Sequence, residues 1–506
     1  MLFNLSLLKK NTIFIILAAG LLKFCILIRD ILLINHFGVN KNIDIYIYSL
    51  MIPAFFSGII ALSFNYFFIP SYLKIKTDYG QQSAAEYASM ILLQGAALIG
   101  LIFFLCGWVL PLGLIKWNKF FFITPEQYVF FYQLSKWASV FFLFFTLSLF
   151  FASLLQAEHR YLLSYYPQLF TPCLSIIFIL LSPGTLKILF AIIGGAIGAV
   201  ISCAIFYLYC RRNNIVLGFH NKISKRPWRV EHGQFFILFF SFVLSSFVAI
   251  IDQQTASMFG EGKLTVLSYG IRIPDGITDL FCSALGIATF SHFSQWYADG
   301  QKMNLIEAAQ KVIAITTIFI GSFCIFISLY AIPITSIIFE HGAFSRESTL
   351  AVSRVLMFST STIYFAIIAT VGAKIISATR RNQFFLIQSL VLSIFKIFSN
   401  LILIKLFDII GIVVATILMQ ILNCSLIYSH LYQKKMHIFQ KRFLVKLVRS
   451  FLTLGIVGAA LLFVKHIAFF SSSIITVGVG LLALSGLLLL FLLVNRKYQI
   501  ISFTQT

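Results

Sequence analysis

The chain has 506 residues, 60% of them hydrophobic and only 11% charged, with mean hydropathy +0.96 and a formal net charge of +22. A soluble domain is about a quarter charged and could not keep this much apolar surface out of water, so the composition excludes a soluble enzyme or binding module and indicates a polytopic membrane protein. Nor does the charge mark a nucleic-acid binder, because most Lys and Arg fall in short connections between apolar runs rather than on one soluble face interleaved with aromatics.

A membrane-spanning helix needs about 20 apolar residues. Fourteen candidates follow one another: 10–36, 43–73, 83–112, 125–156, 160–182, 187–210, 229–256, 264–294, 306–338, 347–378, 382–404, 408–433, 443–466 and 472–495. The N-terminus begins like a signal peptide, but its apolar pattern runs past residue 30 without a small-residue cleavage site, so it reads as the first span. The eight cysteines lie in or at the ends of apolar segments with no C-x-x-C spacing and read as small core hydrophobes.

Charge alternates between the ends of these spans. One side carries Lys9, Lys10, Lys74, Lys76, Arg160, Arg211, Arg212, Lys222, Lys225, Arg226 and Arg229. The same side continues with Lys302, Arg380, Arg381, Lys434, Lys435, Lys441, Arg442, Lys446, Arg449, Arg496 and Lys497. The other side has only Lys41, Lys116, Lys119, Lys187, Lys263, Arg346, Lys405 and Lys465. By the positive-inside rule the richer side, which includes both termini, is cytoplasmic. An even number of spans requires the same.

An internal repeat is also visible. "YSLMIPAFFSG" at 48–58 resembles "YGIRIPDGITD" at 269–279; "PLGLI" from Pro111 resembles "PITSI" from Pro333; "ASLLQAEHR" ending at Arg160 resembles "AKIISATRR" ending at Arg381. The offsets are 221, 222 and 221 residues (274−53, 333−111, 381−160). About six spans separate equivalent points, so the halves share orientation and enclose a central cavity. The domain reading is therefore a first six-helix repeat at 1–210, a cytoplasmic linker at 211–228, a second six-helix repeat at 229–433, and two extra helices with a tail at 434–506. The hydrophilic stretch 210–233 has several cations and one acid, and suits contact with anionic headgroups.

Some charges sit inside the spans, where each costs about 2.5–3.5 kcal/mol on insertion scales. Lys23 and Arg29 are six residues apart, about 120° around a helix, so both line one cavity only if it is wide or the helix bends near Gly20. Asp30 adjoins Arg29 as a counter-ion, Asp44 opens the second span, and Asp252 lies near the end of the seventh. In the eighth, Arg272 has Asp275 and Asp279 at i+3 and i+7 on its own face, allowing local neutralisation. For Asp44, Asp252 and Lys136 a structural pair or a snorkelling side chain is an equal alternative. Lys23, Arg29 and Arg272 form the candidate substrate-binding set, with Asp30, Asp44 and Asp252 as supporting charges. Such cations suit an anion, and the Arg fork suits paired phosphate oxygens.

The run "KFCILIRDILLINHFGVNKNIDIYIYSLMIP" resembles the start of the MurJ/MviN family, lipid II flippases of the MOP exporter superfamily. Lys23, Arg29, Asp30, Phe37, Gly38, Asp44 and Pro53 match the family's order, "SYGIRIPDGITDLFCSALGIATFSHFSQW" resembles its eighth helix with Arg272 at the basic position, and "FEHGAF" (339–344) resembles its approach to the tenth. The resemblance implies an all-α, fourteen-helix, V-shaped exporter, with two parallel six-helix repeats plus two C-terminal helices that form a groove for a lipid tail. It implies export of undecaprenyl-diphosphate-linked peptidoglycan precursor across the bacterial inner membrane. The chain departs from the pattern at Ser57, Gly58 and Leu62, where the resemblance expects Arg, Arg and Glu, and at Met51, a further basic position. Lys23 stands where the family usually has Arg.

Three cargoes remain open: lipid II, another polyprenyl-diphosphate-linked glycan such as an O-antigen or exopolysaccharide unit, and a drug moved by a cation-coupled exporter of the same superfamily. A membrane-embedded transferase would need an acid pair or a His-centred motif; the nine His show none, and no Gly-rich phosphate loop precedes a helix. The reading is therefore a transporter and not an enzyme. It has no cofactor beyond a coupling ion or the membrane potential, and no metal site. Its expected partners are the lipid-linked glycan, membrane lipids and cell-wall synthesis proteins, with no nucleic acid, and it is expected to be a monomer.

Overall fold

A computed structural model describes residues 5–63, 68–117, 124–158, 160, 162–216, 232–378, 383–467 and 473–498. The described residues are mainly helical, with turns between the helices and no strand among them, and divide into two compact units, Met1–Thr265 and Val266–Thr506. The predicted linker at 211–228 lies largely outside the described residues, as do Arg380 and Arg381.

The first unit holds α1 (Leu5–Phe37), α2 (Lys41–Ser63), α3 (Ile69–Phe104), α4 (Leu110–Trp117), α5 (Pro125–Ala157), α6 (Phe170–Leu181), α7 (Lys187–Arg212) and α8 (His232–Ser257). The second holds α9 (Lys263–Ala298, in this unit from Val266), α10 (Lys302–Leu329), α11 (Ala331–Phe339), α12 (Arg346–Ala378), α13 (Gln383–Phe407), α14 (Ile409–Gln433), α15 (Lys441–Ile467) and α16 (Ser473–Tyr498). Among the described residues, nine helical segments are long and apolar enough to cross a membrane, and 166–181 and 473–489 are shorter apolar ones. α1, α8 and α9, at 33, 26 and 36 residues, have the length to span as well. Each expected span thus has its helix.

The repeat reappears in helix bounds. α5 and α12 are both 33 residues long, offset by 221 at each end (346−125 and 378−157). Local chemistry sets several boundaries. Thr124 starts α5 with a capping box, its hydroxyl accepting from the Gln127 N–H while Gln127 returns the bond, and Pro125 occupies the first helical position where no N–H is needed. Pro111 and Pro333 sit in the first turns of α4 and α11, each just after a break, a π turn at Leu105–Val109 in one case and Tyr330 in the other.

Two expected spans differ in detail. The second was expected to reach residue 73, but α2 ends at Ser63 and residues 69–79 form the start of α3, set off by Gly80 at φ +87°, which the absence of a Cβ permits. The fifth, expected at 160–182, is α-helical only from Phe170; residues 162–164 and 166–169 are 3₁₀ turns around Pro167, whose ring removes a donor and restrains the preceding residue. α6 compensates by tight packing on α7. A Cβ at Gly198 would lie 2.5 Å from the Phe170 carbonyl oxygen, so only glycine allows that approach.

In the first unit α5 packs on α2 and α7, α1 on α6, and α8 on α2. In the second, α12 packs on α10, α11 and α14, α13 on α14, and α15 on α10 and α16.

Candidate functional site

The predicted cations fall in both units. Lys23 and Arg29 belong to α1, Arg272 to α9. In α1, Arg29 donates through Nε and Nη2 to Oδ1 of Asp30, at 3.0 and 2.7 Å, with side chains 15% and 4% exposed. Adjacent residues point about 100° apart on a helix, so the guanidinium curls around the helix to meet the acid. The pair places an opposite charge in direct contact with the buried Asp30 carboxyl. Lys23 lies on an exposed part of α1.

Asp44 is fully buried, at 0% exposure. Its Oδ2 accepts from the Gly262 N–H at 2.6 Å, and its Oδ1 from the Thr265 N–H at 2.8 Å and the Thr265 hydroxyl at 2.6 Å. It thereby caps the first turn of α9. In return, Oε1 of Glu261 accepts from the Lys41 N–H at 3.1 Å, and Oδ1 of Asn40 accepts from the Ile43 N–H at 3.1 Å, so the start of α2 is capped as well. All three of these bonds hold the start of α9. Asp252 is half-buried in α8, two residues before Gln254, whose Oε1 accepts a hydrogen bond from the Tyr48 hydroxyl at 2.7 Å. Lys136 lies over the Tyr132 ring of its own helix at 4.1 Å.

The positions where the resemblance expects further charge are filled in another way. Ser57 is buried and accepts a hydrogen bond from the Thr146 hydroxyl of α5 at 2.8 Å, and Met51 is buried. α2 gives that face to packing on α5.

In the second unit, Arg272, Asp275 and Asp279 are exposed on α9 while Pro274 is buried. The Thr370 hydroxyl of α12 donates to Sγ of Cys282 at 3.2 Å, joining α12 to α9. Lys374 is one turn further along α12, half-buried, and Cys282 lies within electrostatic reach of both Lys374 and Asp279. Lys374 thus adds a cation to the α9 charges. The sequence reading does not single it out; its signal is a lone Lys in the apolar C-terminal part of α12, 20 residues past Arg354 (374−354).

The sequence matches the family described as lipid II flippase MurJ over residues 33–485. The chain belongs to this family. Asp44, Asp252, Arg272 and Lys374 lie inside the matched stretch, whereas Lys23, Arg29 and Asp30 precede it. No curated protein sequence matches the chain. Among solved structures, it resembles a lipid II flippase MurJ in an inward closed conformation, at 20% identity and TM-score 0.71, covering 96% of this chain and 99% of that one. It also resembles an inward-facing multidrug-resistance MATE transporter of the MOP superfamily, at 13% identity and TM-score 0.67, covering 82% of this chain and 95% of that one. A MOP superfamily transporter from Pyrococcus furiosus, described as having a binding pocket of reverse polarity, aligns at 13% identity and TM-score 0.60 over 86% of this chain and 97% of that one. These structural likenesses establish the fold, the all-helical architecture that those structures share.

Proposed function

We propose that the protein carries lipid II, the polyprenyl-diphosphate-linked peptidoglycan precursor, from the inner to the outer leaflet of the bacterial cytoplasmic membrane. The observation that carries this is the intramembrane Arg29–Asp30 pair together with the Arg272 cluster on α9, in a chain of the MurJ family. Intramembrane ionisable groups are expensive and mark the path of a charged cargo. A diphosphate offsets that cost through charge-assisted bonds to Lys23, Arg29 and Arg272, with Lys374 as a fourth cation. Asp30 orients Arg29 and half-neutralises it between transport events. The two repeats alternate access to a central site, driven by an ion or by the membrane potential, and both termini and the 211–228 linker face the cytoplasm.

Ser57 and Met51 favour one second reading, a flippase for another polyprenyl-diphosphate-linked glycan, since α2 withholds charge the family usually supplies. Complementation of a conditional lipid II flippase mutant tests both. The wild-type chain should restore growth, R29A and R272A should fail while still inserted and abundant, and K23R should succeed. Failure of the wild-type chain despite normal insertion would refute the lipid II reading. Growth of both Ala variants would refute the assigned site.

A further inference from the structure

We propose that Cys25 and Cys173 form an oxidation site open to the lipid phase, at which a membrane quinone is reduced and a disulfide is left tying α1 to α6. α1 packs on α6 within the first unit, and there the Cys25 thiol is a hydrogen-bond partner of the Cys173 thiol. Both cysteines are free. Thiols in mutual contact need only side-chain rotation to approach the S–S bonding distance of about 2.05 Å. Oxidation breaks two S–H bonds and forms one S–S bond, and the two protons and two electrons convert the quinone to its quinol.

Exposure selects the oxidant. Of the eight cysteines Cys173 is the exposed one, so it departs from the role of core hydrophobe, and Cys25 is half-buried beside it. Phe170, Ile177 and Leu180 stand three before, four after and seven after Cys173, on the same face of α6, and are 42%, 45% and 65% exposed. An open face of that composition, on an apolar helix of a membrane-spanning chain, is turned to hydrocarbon. A charged peptide disulfide such as glutathione disulfide has no route there, whereas a quinone dissolves in it. The second repeat shows that packing does not call for these thiols. Ser246 of α8 and Ile394 of α13 stand at the equivalent positions (25+221 and 173+221). The bond would hold against α6 the helix that carries Arg29, one turn past Cys25. This inference is independent of the cargo.

The test uses the full-length protein in phosphatidylcholine liposomes with decylubiquinone, whose ring is fully substituted and resists thiol addition. Alkylation, proteolysis without reduction and mass spectrometry then follow the cysteines. Wild type should yield a linked peptide pair containing Cys25 and Cys173, with one quinol formed per link, and C25S and C173S should yield none. Oxidised glutathione at the same concentration should form the link at most about a tenth as fast, because it must leave water to reach the pair. The linked protein should unfold at a higher Tm than the reduced one, and dithiothreitol should return it to the reduced value. The proposal is overturned if wild type gives no link, if either cysteine pairs with another partner instead, or if glutathione disulfide matches the quinone. A Tm unchanged by the link would overturn the tie between α1 and α6.

Discussion

Asp44→Asn is a near-isosteric change with a large expected effect. Asp44 takes three hydrogen bonds from Gly262 and Thr265, at 2.6, 2.8 and 2.6 Å, and is completely buried. In the asparagine variant one oxygen becomes an NH2 group. The less costly orientation places it at the Oδ2 position, where it confronts the Gly262 N–H donor to donor. The bond lost there is charge-assisted and contributes about 1.5–3 kcal/mol. The two bonds from Thr265 survive as neutral bonds, roughly half as strong. Membrane proteins return smaller values for single hydrogen bonds, about 0.6 kcal/mol on average, because the unfolded chain in the bilayer finds partners as well. A net destabilisation of about 2–4 kcal/mol follows from one lost bond, two weakened bonds and a donor clash. SDS-titrated unfolding of the purified protein measures it. T265V, which removes only the hydroxyl bond, should cost about 1 kcal/mol. The double variant should cost less than the sum, because both changes act on Oδ1. A D44N protein within about 0.5 kcal/mol of wild type, the scatter of neutral surface changes, would refute the capping role.

G198A should cost roughly 1–3 kcal/mol by forcing α6 from α7, since the added carbon would meet the Phe170 carbonyl at 2.5 Å; unfolding titration reads it directly. S57R should not restore family-like charge but should lower folded yield, because Ser57 is buried against Thr146 and an unpaired charge there costs about 3–5 kcal/mol. K374M should reduce the flipping rate at least about tenfold, the equivalent of 1.4 kcal/mol, with Tm near wild type; wild-type rates would remove Lys374 from the site. Glu158, just past the end of α5, supplies a pH prediction. Burial pushes its carboxyl up, but the bonds from Lys76 and Tyr72 outweigh burial and hold it below its ordinary 4.5. A lowered folded pKa means stability that is present above 4.5 and lost as pH falls through the folded value. E158Q should therefore be less stable at neutral pH and show a shallower loss on acidification below 4.5, read by thermal unfolding across pH.

Fourteen spans were legible because length and hydropathy decide what enters a bilayer, and those are local properties. The repeat was legible because Pro111 and Pro333, or Pro53 and Pro274, punctuate helices in equivalent ways. What escaped was anything set by a partner distant in sequence. Asp44 reads as a charge at the mouth of a helix; its partners are 218 and 221 residues away, and nothing near Asp44 announces them. Ser57 reads as a missing arginine, whereas its partner Thr146 is 89 residues on. Lys374 was overlooked because a single Lys does not interrupt a long apolar run. The fifth span misled because "YYPQLFTPC" is apolar enough for a helix, while Pro167 imposes 3₁₀ turns that hydropathy does not register.

The two repeats differ most where the fold is indifferent. Lys23, Arg29 and Asp30 of α1 correspond, 221 residues later, to Leu244, Ile250 and Ile251 of α8. Arg272, Asp275 and Asp279 of α9 correspond to Met51, Ala54 and Gly58 of α2. At these positions each helix type is thus built once with charges and once without, so a helix does not need charges there to form or pack. The placement also alternates: the first repeat charges its first helix, the second repeat its second. Burial costs would have removed such groups from a purely structural protein. Set against the apolar residues at the equivalent positions of α8 and α2, the charges on α1 and α9 fit the proposed role in carrying an anionic cargo. The Asp44–Thr265 pair makes the contrast plain, because those residues are also repeat equivalents and bond to each other. There the repeat spends its charge on architecture, whereas Arg272, Asp275 and Asp279 lie on the exposed face of α9.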